Sequence, residues 1–142
     1  MSFAVLTEVA SEWEPLGPRA EGSGESAAAL LRTARSLFAH AWFNYEFMVV
    51  ACLVGLQAME AAFRSLYPTA TNAPLLRLVR RSVREGMLPP EVGSDAEWAV
   101  QLRNELSHPE TQWAFTIGMA GRALEDIHRL VAAVVAAAVD AS

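Results

Sequence analysis

SAAALLRTARSLFAHAWFNYEFMVVACLVGLQAMEAAFRSL, residues 26–66, decides the fold class. It contains no proline, and Leu30, Ala34, Leu37, Phe38, Ala41, Tyr45, Met48, Cys52, Leu56, Met59, Phe63 and Leu66 recur at helical spacing. One straight helix of that length spans about 60 Å at 1.5 Å per residue, too long for a compact domain of this size. A break is therefore expected between Ala39 and Asn44, and Pro68 ends the run. Downstream, Asn72 to Met87 reads as a shorter amphipathic helix with Leu75, Leu78, Val79 and Val83 on one side, capped by Gly86. Leu88-Pro89-Pro90 opens a loop to Ser94. A last helix begins between Thr111 and Thr116 and carries Leu124, Ile127, Leu130, Val131, Val134 and Ala138 as its apolar stripe. With no repeat and no strand pattern, the expected architecture is all-α, a bundle of four or five helices over residues 26–139. Residues 1–25, rich in Pro, Gly and Ser, are expected to be a flexible leader whose Phe3, Val5, Leu6 and Trp13 offer an alternative, docking on the domain or on a second copy.

Composition narrows the function. The chain has 142 residues, 53% of them hydrophobic, enough for one core and too few for two comfortable domains. A formal charge of -5 and a pI near 5.2 mean that any polyanion must be held by a local basic patch. All eleven basic residues are arginine, which a GC-rich coding sequence explains. The single cysteine, Cys52, excludes an intrachain disulfide and lies among apolar residues as a small core group. Phe47 to Leu56, the longest uncharged apolar run, falls short of the roughly 18–20 residues of a membrane span, and residues 1–10 lack a signal-peptide pattern. A cytoplasmic protein without a membrane anchor is expected. His40 and His128 have no second ligand at metal spacing, so no metal and no cofactor are assigned.

The chemistry concentrates in Leu102-Arg103-Asn104-Glu105-Leu106-Ser107-His108-Pro109. Ser94 and Glu97 form a capping-box pattern that starts a helix at Asp95. On its wheel Trp98, Ala99, Leu102 and Leu106 face the core, Glu97, Asn104 and His108 form a polar row, and Arg103 lies on the border. Arg103 and His108, five apart, point about 140° away from each other in an ideal helix. Either Pro109 ends the helix at His108 and frees the ring, or a second copy supplies the missing group. An imidazole in a last helical turn gains roughly 0.3–1 kcal/mol for its protonated form, which suits acid–base work near neutrality. Arg77, Arg80, Arg81 and Arg84 share one side of their helix. They read as a solvated outer face or as a track for phosphates, and the first is favoured on its own merits.

Arg103-Asn104, three residues, then His108 followed by Pro109, after an aromatic-rich helix from Leu37 to Phe47 and the segment Glu60 to Arg64, resembles the Arg-polar-x(3 to 5)-His motif of the HEPN superfamily. The resemblance covers about residues 26–139. It implies a HEPN-like bundle and metal-independent endoribonuclease activity, with the motifs of two copies meeting across a homodimer. It also implies the toxin half of a toxin–antitoxin pair or a part of a defence system, with an antitoxin or regulatory protein as partner. His108 would then be general acid or base, Arg103 would neutralise the phosphate, Asn104 would orient the ring or donate to phosphate, and the Arg77–Arg84 face would bind RNA. Glu46 or Glu60 could neutralise or position Arg103, with a solvent-facing rim preferred for Glu46. Other members of the superfamily bind partners or nucleotides without cutting RNA, so a non-enzymatic interaction or nucleotide-binding module is the second reading. A third leaves Arg103 bridged to an acid and His108 capping helix carbonyls.

Overall fold

The computed structural model describes residues 1–141, apart from the side chains of 111–113. The periodic run at 26–66 forms two helices, α2 (Glu25–His40) and α3 (Phe47–Leu66). The break falls at 41–46, overlapping the expected window of 39–44 and running two residues past it. Helix α7 (Ile117–Asp140) closes the set, its Thr116 N-cap accepting from the Met119 N–H at 3.1 Å. Helix α3 runs through the middle and packs mainly on α2 and α7, burying Met48, Cys52, Leu56, Met59 and Phe63 completely. Among the described residues there is no strand, and the molecule is an all-helical bundle.

Helices α4 (Leu75–Arg84) and α5 (Pro90–Leu106) pack as an antiparallel pair beside it. Gly86 ends α4 as expected, at φ 75°, where a side chain would be strained. The Gly86 N–H bonds Val83 O at 3.0 Å and the Met87 N–H bonds Ser82 O at 2.9 Å, the two bonds of a Schellman cap. Helix α5 starts earlier than the Ser94/Glu97 pattern implies. Pro90 occupies the first turn, where its missing N–H and fixed φ are no burden, so the part of the expected loop from Pro90 to Ser94 is helix. Glu97 bonds Arg80 instead of reaching back to Ser94. Trp98, assigned to the core face, is 46% exposed, while Ala99, Leu102 and Leu106 are buried.

Gly93 lies where α5 meets α4: a Cβ there would stand 2.3 Å from Val83 Cγ2. Valine is stiff at χ1 and cannot swing aside cheaply. Overpacking costs about 1–3 kcal/mol, set against about 1 kcal/mol gained by replacing a helical glycine. Gly93→Ala is therefore expected to lower stability by about 1 kcal/mol in thermal or urea unfolding, where a neutral contact would have made the protein more stable.

The flexible leader requires correction. Phe3–Ser11 forms α1, capped by Ser2, and docks on α2 with Leu6, Ala10 and Trp13 buried. The docking alternative is thus the arrangement observed, driven by apolar area that a solvated leader would expose. Between α5 and α7 lies the short α6 (Pro109–Ala114). The limit set by the uncharged run to Leu56 also moves, because α3 continues to Leu66. Among the described residues α3 is the one helix long and apolar enough to cross a membrane, and 56% of its most apolar window is buried within the bundle.

Candidate functional site

The candidate site is the C-terminal end of α5. Antiparallel packing brings Arg80 against Glu97 at 2.8 Å, and Val83 against Gly93, so the N-terminal end of α4 runs toward the Arg103 end of α5. Arg103, on the border of the apolar stripe, is 34% exposed and reaches across to α3, where its Nη1 donates to Glu60 Oε2 at 3.0 Å. The other Glu60 oxygen accepts from Arg64 Nη2 at 3.2 Å, and Arg64 Nη1 donates to the carbonyls of Ala73 at 2.7 Å and Ala70 at 3.3 Å. One carboxylate thus serves two guanidiniums. The cluster keeps a net positive charge, with the rest of the Arg103 fork unengaged among the described residues.

Helix α5 stops at Leu106, and His108 lies beyond it, its backbone N–H bonded to Glu105 O at 3.0 Å. Pro109 then begins α6, which explains why helical phase does not govern the imidazole. The His108 ring and the Asn104 amide are exposed and make no side-chain hydrogen bond among the described residues. Arg103, Asn104 and His108 thus lie at the C-terminal end of α5 or just beyond it, with Arg103 turned to α3 and the other two exposed to solvent. Arg103 does bridge to an acid, as the third reading required, but among the described residues the His108 ring caps no carbonyl.

The four arginines of α4 separate. Arg81 turns to Glu85 at 2.6 Å and stacks over the Tyr67 ring at 4.4 Å, and Arg80 is paired with Glu97. Arg77 and Arg84 are exposed and have no ion pair among the described residues. The Tyr67 hydroxyl, pushed up to about 12 by burial and by its bond to Glu85, belongs to this structural cluster. Half of the expected phosphate track is thus neutralised within the chain. Glu46 is exposed at the start of α3 and has no part in this cluster.

Because Glu60 joins α3 to α5 through Arg103, its removal tests the coupling. These groups are about one-third exposed and screened, so Glu60→Gln is expected to cost about 1 kcal/mol or less in urea unfolding, an effect that shrinks as salt rises.

Two other groups matter. Cys52 is buried, its thiol pushed up to about 12 by desolvation, so it stays protonated and packs as a small apolar group. His128, set aside in sequence as isolated, is fully buried on α7 and bonded to Arg35 of α2, 93 residues away. Its signal in the sequence was a polar residue directly after Ile127 on the apolar stripe, a position that requires a partner. Among the described residues no group of three or more His, Cys, Asp or Glu is arranged to hold a metal.

Fold and site together define an all-helical bundle whose α5 ends in Arg103, paired with Glu60 of α3, followed by an exposed His108. No family model, no curated protein and no solved structure matches the chain.

Proposed function

We propose that the protein is a metal-independent endoribonuclease of HEPN type, acting in the cytoplasm as the toxin of a toxin–antitoxin pair or in a defence system, with its site completed by a second copy of the chain. The observation that carries this reading is the end of α5: the Arg103 guanidinium, bonded to a Glu60 carboxylate that it shares with Arg64, on the same helix end as an amide and an imidazole that are exposed and make no side-chain hydrogen bond among the described residues. An imidazole near neutrality suits proton transfer at a ribose 2'-hydroxyl or a leaving oxygen. The Arg103 fork matches a phosphate and keeps its charge through the reaction. Exposed Arg77 and Arg84 supply positive charge to an otherwise acidic chain. The test is incubation of the protein with single-stranded RNA in excess chelator. Cleavage is expected, and it should be lost in Arg103→Ala and in His108→Ala. Cleavage that persists unchanged in both variants rejects the reading.

A non-enzymatic interaction module is the second reading. It is favoured by the exposed Trp42, Phe43 and Tyr45 between α2 and α3, where Tyr45 donates to Phe115 O at 2.5 Å and so sits beside the segment that follows His108. That reading predicts no RNA cleavage under any ionic condition.

A further inference from the structure

Beside the first turns of α2 lies a cavity of about 420 Å³, within the range of small-molecule sites. Four charged side chains line it: Arg32 and Arg35 from α2, Glu25 at its start, and Glu14 from the 3₁₀ turn Glu14–Leu16. Glu14, Glu25 and Arg32 are exposed and Arg35 is half-buried. Here, among the described residues, none of the four is in an ion pair within 4.0 Å, although Glu14 and Arg32 are near enough to act on the charge of Arg35.

Arg35 is the most constrained of them. It is half-buried, and the group holding it is not an acid: its Nη1 donates to His128 Nε2 at 3.1 Å. Because guanidinium only donates, Nε2 must accept, which puts the ring proton on Nδ1, where it bonds Leu124 O at 2.7 Å. His128 is therefore neutral, fixed at both nitrogens and packed near Trp13, with ring centroids 5.8 Å apart. It aims the guanidinium without cancelling its charge. A half-buried arginine oriented by a neutral ring leaves most of its planar fork for an acceptor from outside the chain.

Charge balance decides what kind of ligand fits. Two arginines and two glutamates give the lining no net charge, so a bare anion gains at Arg35 and loses at Glu14 and Glu25. A molecule with one carboxylate and one ammonium satisfies both ends and spans the gap that keeps the side chains unpaired. We propose that this cavity binds a small zwitterion of amino-acid size, its carboxylate on Arg35 and Arg32 and its ammonium on Glu14 and Glu25, with His128 as the positioning residue. The site is independent of the ribonuclease reading.

The experiment is calorimetric titration and thermal denaturation of the full chain with the common free amino acids, one at a time at about 10 mM, a level that reveals a millimolar site. Propionate and propylamine are the one-charge controls. The expected result is that at least one amino acid binds and stabilises, with both controls silent. Binding should weaken about tenfold or more, about 1.4 kcal/mol, in Arg35→Met and in the doubly substituted Glu14→Gln, Glu25→Gln chain. Both glutamates are exposed, so the second variant stays informative if the first fails to fold. Absence of binding by every amino acid, binding matched by propionate alone, or binding unchanged in the glutamine variant overturns the proposal.

Discussion

Taking the protein from about pH 6.5 down to about pH 4 is expected to remove about 3 kcal/mol of folding stability through His128 alone. Burial holds the ring down to about 4 from its usual 6.5; the Leu124 carbonyl opposes that and the Arg35 charge adds to it. The unfolded chain therefore takes up a proton on falling through 6.5, while the native chain does so only near 4. The unfolded state binds more protons in that window, so stability is complete above about 6.5 and declines as pH falls toward 4. Below that this group takes nothing further. Asp126, raised by desolvation, acts in the opposite sense at the acid end, and Glu85, lowered by its bond with Arg81, adds to the loss below the usual carboxylate range. Urea midpoints at a few pH values across the window give the slope, and His128→Gln should flatten it. A midpoint that does not move in the wild type, or a slope that survives the substitution, removes His128 as the cause.

The bond between His128 and the half-buried Arg35 also shows where a sequence stops being informative. Helical periodicity rests on neighbours three and four apart, so the two-helix reading of 26–66, its break near residue 41 and the Gly86 cap could be derived from local pattern. The pairing of Arg35 with His128 depends on how α2 meets α7, which no local period encodes. The same distinction separates Glu60 from Glu46. Both were plausible companions for Arg103, and only the packing of α5 on α3 selects Glu60. Competing local signals caused the other departures. Pro90 outcompeted the Ser94 capping box because proline is pre-organised for a first turn, and the turn-rich segment after Trp13 masked the nine-residue α1 before it. Clustering of like charges was legible on α4, but the individual fates of Arg80 and Arg81 depended on acids one helix away and one turn on.

On the proposed ribonuclease reading, His108→Ala is expected to lower the rate of RNA cleavage by about 10²- to 10⁴-fold, the range that general acid–base catalysis supplies. It should leave the unfolding midpoint almost unmoved, because the exposed ring has no side-chain bond to lose among the described residues and such surface changes stay within about 0.5 kcal/mol. Arg103 should behave differently on the second axis. Arg103→Ala is expected to cost about 10²- to 10³-fold in rate by removing charge from the reacting phosphate, and also to alter stability by releasing Glu60 from α5. Arg103→Lys separates the two roles: an ammonium can still pair with Glu60, but it lacks the fork, so rate should fall while the midpoint holds. Arg77→Ala and Arg84→Ala, if they touch only phosphates, should raise KM and weaken the salt dependence with kcat intact. The pattern is diagnostic because an arginine that merely ties α5 to α3 makes the opposite demand. Its lysine variant would be nearly silent in rate and its alanine variant would act through stability alone, and a His108→Ala chain that cuts RNA at the wild-type rate would leave the end of α5 with no catalytic work.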